Sequence, residues 1–329
     1  MLVLQSVKGY NLFICGPDDE GRRLDRVLKK LLPDIPAGLI YSGLRKGLIR
    51  VNEKKSKQSD RLQQGDQIAV RETIIFQAKT SPPPADSGAV YTLKKITVFS
   101  NENLLLLNKP AGMLTHGDDS LASLLQSGLD AGAESLSFRP APLHRLDRNT
   151  SGLITASLSI KGAHQFSELM RGRRLKKYYL GICIGGPDKK VKLSDRLQRT
   201  EKVTRTLVGA ETDDSGNEAV TFAESLIRED GLSLCLFRIE TGLTHQIRAQ
   251  AAAAGFPLAG DVKYGGGRKG FRTFILHSFA ISLEDFDEIC GFKTCTAPLP
   301  PRSQRKAESL FGAEILNKTI EKIKIEINS

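Results

Sequence analysis

Leu143-His144-Arg145-Leu146-Asp147-Arg148-Asn149-Thr150-Ser151-Gly152-Leu153-Ile154-Thr155-Ala156 is the stretch on which the fold turns. One carboxylate, Asp147, stands between Arg145 and Arg148 in a turn-like segment, ahead of a Thr-Ser-Gly triplet and a β-type apolar run. Gly152 permits backbone angles that a bulkier residue resists, and Leu153 to Ala156 read as a strand entering a core. The pattern displays an acid at the lip of a sheet, ringed by cations. Nearby positive charge favours the ionised acid and gives a phosphate somewhere to land. A surface ion-pair cluster, worth about 0–1 kcal/mol, accounts for the same spacing.

On the C-terminal side, Ser159 to about Gly172 reads as a helix, with Ala163, Phe166, Leu169 and Met170 on an apolar face. Arg171, Arg173, Arg174, Lys176 and Lys177 then crowd ahead of a strand over Tyr178 to Cys183. Tyr178 and Tyr179 must face opposite sides of that strand, so only one can reach the Asp147 side. Ala219 to Ile227 and Leu232 to Glu240 form a hairpin pattern around Glu229-Asp230-Gly231. Thr241-Gly242-Leu243-Thr244-His245-Gln246-Ile247-Arg248 leads into an alanine-rich helix closed by Gly255, and Lys306 to Ile327 reads as a closing helix. Upstream, Ile96 to Phe99 and Leu104 to Leu107 look like buried strands, Lys109 lies in a loop, and Ser120 to Leu129 reads as a short helix.

The N-terminal part differs in character. Residues 10–20 read as a loop ending in acids suited to a helix start. Leu24, Val27, Leu28 and Leu31 recur at helical spacing, with Arg22, Arg23, Arg26, Lys29 and Lys30 between them. Pro33 ends that helix. A second begins near Pro36, apolar at Leu39, Ile40 and Leu44, with Gly47 as its stop. Leu48 to Asn52 and Gln67 to Val70 read as short strands. Three consecutive prolines, Pro82-Pro83-Pro84, mark a semi-rigid linker. The expected organisation is a small domain over 1–75, a linker over 76–92 and a larger domain over 93–329.

The chain has 329 residues, long enough for two domains. No run approaches the ~18 apolar residues of a membrane helix, and no secretory leader is evident, so a cytoplasmic location is expected. Five scattered cysteines without a Cys-x-x-Cys read as buried reduced thiols, and the histidines form no pair of metal-ligand type. The net charge of +11 points to an anionic partner. Residues 19–73 carry 13 Lys/Arg against 8 Asp/Glu, so this first segment is the more basic by density.

His144-Arg145-Leu146-Asp147-Arg148-Asn149-Thr150-Ser151-Gly152 resembles the HRLDxxTSG signature of the RluA-type RNA pseudouridine synthases. Further segments resemble that family in the same order. They are Asn108-Lys109-Pro110-Ala111-Gly112, Lys177-Tyr178-Tyr179-Leu180, Thr241 to Arg248, Gly260-Asp261-Val262-Lys263-Tyr264-Gly265 and Leu276-His277-Ser278. Leu243 stands where the family usually has arginine. The N-terminal module, through Gly47-Leu48-Ile49-Arg50-Val51-Asn52, resembles the S4 RNA-binding domain, an arrangement similar to the RluC and RluD branch.

The resemblance implies an α+β catalytic domain built on a mixed, largely antiparallel sheet, with a small α/β S4-like domain ahead of it. It implies an isomerase that needs neither cofactor nor metal and acts on RNA, foremost large-subunit (23S) ribosomal RNA or the pre-large ribosomal subunit. No membrane or protein partner is implied. Asp147 is then the reacting carboxylate, Arg248 its ion-pair partner and Tyr179 the active-site tyrosine. Arg145 fills the place of a flipped base, Lys177, Arg22, Arg26, Arg45, Lys46 and Arg50 meet RNA, and Lys109 either meets RNA as well or is a charged loop residue. A transfer-RNA enzyme shares these motifs. A catalytically silent ribosome-assembly protein and a uracil-releasing glycosylase are the readings of a different class.

Overall fold

The structure is a computed structural model, and it describes residues 6–7, 9–75, 87–129, 135–199, 206–208 and 217–328. By contact the chain forms two compact units. The first comprises residues 1–95, 122–141 and 157–163, and the second 96–121, 142–156 and 164–329. The first therefore also takes in two segments that lie past the expected boundary. Residues 76–86, the centre of the expected linker, lie outside the described residues.

In the first unit the helices Leu24–Leu31 and Ala37–Lys46 form where the apolar spacing places them. Leu24, Val27, Leu28, Ile40 and Leu44 are buried, whereas Leu39, expected on the apolar face, is 40% exposed. Gly47 closes the second helix in the left-handed conformation (φ 71°), its N–H reaching the Gly43 and Leu44 carbonyls. The helices share a core with an antiparallel sheet ordered Ser6–Val7, Tyr10–Ile14, Gln67–Arg71, Ile49–Val51 and Lys54–Lys55.

Two expected element assignments also fail in this unit. Tyr10–Ile14 is a strand, not a loop, because it pairs with Gln67–Arg71 and buries Phe13. Ser87–Ile96, expected as the end of a linker and the start of a strand, is a helix burying Ala89 and Leu93 at i, i+4. Asp19, in the expected helix start, is fully buried. It accepts hydrogen bonds from the Leu136 N–H (2.7 Å), the Ser135 hydroxyl (3.0 Å) and the Ser137 hydroxyl (2.5 Å). A buried carboxylate is tolerated because its oxygens are met in this way.

The second unit is built on a mixed sheet, almost wholly antiparallel. Its main path runs through strands Thr206–Val208, Val191–Arg199, Asn217–Glu229, Leu232–Ile239, Leu175–Ile184, Leu276–Asp287, Ser151–Ser157, Leu104–Lys109 and Thr97–Ser100. The expected hairpin turns at Asp230 (φ 49°) and Gly231 (φ 70°), left-handed residues whose twist suits a two-residue connection.

One parallel pairing, Ser151↔His277 and Gly152↔Ser278, joins the Asp147 segment to the centre of this sheet. Glycine is required at 152: φ is 107°, and a β-carbon there would sit 2.2 Å from the Ser278 carbonyl oxygen. His277 fastens the same junction. Its Nε2–H donates to the Ala297 carbonyl (3.1 Å), so Nδ1 accepts from the Ser151 hydroxyl (2.9 Å). Burial holds this ring neutral, lowering its pKa to about 4.

The expected closing helix is two helices, Pro301–Phe311 and Ala313–Asn328, broken at Gly312. Cys15, Cys183, Cys235 and Cys290 are buried free thiols, and Cys295 is half-buried. Among the described residues no helix is long and apolar enough to cross a membrane.

Candidate active site

Asp147 lies on the turn ahead of the strand Ser151–Ser157, and a second loop, 110–115, holds that turn in place together with Lys109 at the end of the strand before it. The Thr115 hydroxyl donates to the Leu146 carbonyl (3.0 Å) and accepts from the Leu146 N–H (3.2 Å). The Gly112 N–H donates to the Arg148 carbonyl (2.7 Å), and Arg148 Nε returns to the Gly112 carbonyl (3.1 Å). Beneath them Lys109 is wholly buried, its Nζ donating to the carbonyls of Met113 (2.8 Å), Pro110 (3.0 Å) and Arg148 (3.3 Å). This corrects the expectation that Lys109 meets RNA. Three backbone carbonyls occupy its three donors, and no solvent-facing surface is left. Burial lowers its pKa to about 8, with the Asp147 charge acting in the opposite sense.

His144 is likewise structural. Its Nε2 accepts the Thr155 N–H (3.0 Å) and its ring stacks on Phe166, with centroids 6.1 Å apart. Desolvation, reinforced by the Lys177 charge, lowers its pKa to about 3, so it keeps the neutral form that this bond needs.

The partner for Asp147 comes from the helix Gln246–Ala253. Gln246 seats the start of that helix. Its amide donates to the Val220 carbonyl (3.1 Å) and the Thr221 hydroxyl (3.0 Å), and its Oε1 accepts from the Thr241 hydroxyl (2.9 Å) and the Leu243 N–H (3.0 Å). Half a turn on, Arg248 Nη1 reaches Asp147 Oδ2 at 3.3 Å. The rest of its guanidinium forms a fork with the buried Asp261: Nε to Oδ2 at 2.7 Å and Nη2 to Oδ1 at 2.9 Å. Its planar head also lies over the rings of Phe274 (4.5 Å) and Tyr264 (5.0 Å). Arg248 is therefore aimed at Asp147 by a carboxylate and two aromatic faces.

Arg145, Asp147, Tyr179, Leu243, His245 and Arg248 all line one open pocket. Tyr179 is buried in its wall, while Tyr178 packs with Leu180 and Ile182 on the other face of the strand. The pairing of Leu175–Ile184 with Leu276–Asp287 shifts register between these two tyrosines, and such irregularities re-aim side chains beside sites. Burial drives the Tyr179 hydroxyl well above its ordinary pKa, so it is a protonated phenol at neutral pH. Arg145 is exposed at the mouth, and Leu243 packs toward Ala249 and Tyr264. Lys177 is half-buried beside Gly242, and its burial lowers its pKa.

Spacing alone assigned no part to His245 or Asp261, although each sits in a quoted motif. The available signals were an aromatic residue just ahead of a helix start and a single acid in a glycine-bounded turn.

In the first unit Arg26, Arg45, Lys46 and Arg50 are exposed. Arg50 Nε donates to the Gly47 carbonyl (2.8 Å). Arg22 is half-buried and spends Nη1 on the Ser137 hydroxyl (2.6 Å), so it is tied to its own unit more tightly than expected. Lys55 and Lys57 join Arg45 along a groove also lined by Tyr41.

Comparison with known proteins places the two parts of the chain in known families. Residues 103–253 match the family described as RNA pseudouridylate synthase, and residues 22–68 match the S4 domain. The chain is 30% identical over 257 residues to ribosomal large subunit pseudouridine synthase C of Salmonella typhi, covering 75% of this chain and 77% of that protein. This chain belongs to the RNA pseudouridylate synthase family. The synthase is thus an isomerase. The protein of the same name from Pasteurella multocida is 29% identical over 296 residues, covering 86% of the synthase and 88% of the relative. Among solved structures, human RNA pseudouridylate synthase domain containing 4 shares the fold, with a TM-score of 0.56 at 20% identity, covering 67% of this chain and 96% of that one.

Proposed function

We propose that this synthase converts uridines of large-subunit ribosomal RNA to pseudouridine in the cytoplasm, with Asp147 as the reacting carboxylate. The observation that carries the site reading is the 3.3 Å contact between Asp147 and an Arg248 that Asp261 and two rings hold in place. The substrate reading is supported by the relatives named as large-subunit synthases and by the S4 domain.

The reaction breaks the bond from C1′ to N1 and forms one from C1′ to C5. C5 loses its proton and N1 gains one, so nothing is oxidised or hydrolysed. Asp147 either attacks C1′ or removes the 2′ hydrogen, and both routes use the anion beside Arg248. Tyr179, kept protonated by burial, packs against the base or donates a hydrogen bond and does not serve as a ready base. The target must leave its stack at a cost of a few kcal/mol, and the exposed Arg145 guanidinium suits the vacated place.

The 23S substrate is tested by carbodiimide mapping of ribosomal RNA from cells lacking the synthase. Loss of one or more large-subunit modifications is expected; an unchanged large-subunit map with a lost transfer-RNA modification would overturn the assignment. For the S4 unit, Arg45, Lys46 and Arg50 are proposed to hold phosphates. Replacing all three with glutamine should make the slope of log affinity against log salt shallower by about 2, at roughly 0.7–0.9 per phosphate contact. An unaltered slope would remove them from the interface.

A further inference from the structure

The pocket holds one ionisable ring that the scheme above leaves without a part. His245 immediately precedes the helix Gln246–Ala253, and its backbone is left-handed (φ 58°, ψ 18°). Outside glycine that conformation is uncommon, and histidine is, with asparagine and aspartate, one of the side chains that adopt it. A strained residue held in place by its surroundings is a pointer to function when it lies at a site. The geometry gives the strain a purpose. It turns the imidazole inward, so that Nδ1 lies 2.9 Å from the Tyr264 hydroxyl and Nε2 lies 3.8 Å from Asp147 Oδ2.

Electrostatics selects the tautomer. With the proton on Nδ1, the lone pair of Nε2 would face a carboxylate oxygen. With the proton on Nε2, an N–H faces that oxygen and the Tyr264 hydroxyl donates to Nδ1. The second arrangement gives Nδ1 a donor and turns the Nε2–H toward the carboxylate. Four other charged groups act on the ring: Asp147 and Asp261 favour its protonation, while Arg248 and Lys263 oppose it. Burial outweighs each of them and lowers its pKa, so the ring is neutral at pH 7.

Arg248 Nη1 and His245 Nε2 both address the same oxygen of Asp147, Oδ2. These two donors leave the other oxygen, Oδ1, to neither of them, on a side chain that lines the pocket. We propose that His245, oriented by Tyr264, is a positioning residue that joins Arg248 in holding Oδ2 and so presents Oδ1 of Asp147 to the sugar of the target uridine. The 3.8 Å separation is closed directly when the nucleotide enters or is bridged by one water, as donor contacts in unliganded sites commonly are. The inference rests on Asp147 being the reacting carboxylate.

Two substitutions separate positioning from scaffolding. His245→Asn suits the left-handed backbone and keeps an amide near the place of Nδ1, but reaches no further. His245→Gln carries an N–H out toward the place of Nε2. Single-turnover rate, RNA dissociation constant and melting temperature are measured for both on a uridine-containing ribosomal RNA fragment. His245→Asn should lose on the order of 10²-fold in rate, the scale of one lost oriented donor, with RNA affinity and melting temperature unchanged. His245→Gln should regain about tenfold of that loss. A His245→Asn rate equal to that of the unaltered protein overturns the proposal, as do equal losses in both variants accompanied by a lower melting temperature. Asp147→Asn, measured alongside, keeps the two ideas apart. If it stays active, the carboxylate reading fails. If it is inactive while His245→Asn is fully active, only the positioning role fails.

Discussion

Asp147→Asn should lower the single-turnover rate of pseudouridine formation by about 10⁴-fold, the upper end of what one positioned acid–base group supplies. The substitution is nearly isosteric. The side-chain oxygen can still accept from Arg248, and the turn around it is held by Lys109, Gly112 and Thr115 through backbone carbonyls and N–H groups that the change does not touch. What is lost is the negative charge, and both chemical routes need it. RNA affinity should therefore stay within about twofold, because an interaction used only in the transition state lowers rate without lowering binding. Release of tritium from C5-labelled RNA measures the first quantity, filter binding the second. Equal loss of rate, affinity and thermal stability would make Asp147 a structural residue. Free uracil among the unaltered protein's products would replace isomerisation with base removal.

The parts of this site that were legible from sequence are those whose cause is local. Helical spacing of Leu24, Val27, Leu28 and Leu31 needs only an apolar face to act on, and the Asp230-Gly231 turn needs only two residues that tolerate positive φ. Strand alternation separates Tyr178 from Tyr179 without any knowledge of the rest of the fold. What escaped was set by groups distant in the chain. Lysine is almost never buried, so Lys109 reads as a surface cation until three carbonyls from two loops converge on it. The strand Tyr10–Ile14 exists because a partner 57 residues on, from Gln67, offers it a ladder (Ile14↔Gln67 at one end, Tyr10↔Arg71 at the other). The helix Ser87–Ile96 was hidden by the prolines before it, although Ala89 and Leu93 carry its i, i+4 signal. Resemblance pairs Arg248 with Asp147, but the groups that aim it, Asp261, Phe274 and Tyr264, follow only from the three-dimensional arrangement.

Asp261→Ala carries the largest expected cost in stability. The Asp261 side chain is 2% exposed and that of Arg248 9%, and two hydrogen bonds join them in fork geometry. Removing one partner of a buried pair costs about 3–5 kcal/mol, because the other charge stays buried with too few contacts. At roughly 2–4 °C per kcal/mol for a unit of about 150–250 residues, the melting temperature should fall by on the order of 10 °C. The remaining contact to Asp147 cannot offset this, since it engages a single guanidinium nitrogen at 3.3 Å. Arg248→Met should be comparably damaging for the mirror reason, leaving Asp261 an unpaired buried anion. The double variant discriminates the cause: with neither charge present, its loss should be smaller than the sum of the singles by about 2 kcal/mol or more, the coupling expected of residues sharing one hydrogen-bonded network. Activity should not recover with stability in that double variant, because Asp147 still lacks the guanidinium that faces it. Additive thermal losses, or a fully active double variant, would show that the fork neither holds the fold nor aims the arginine.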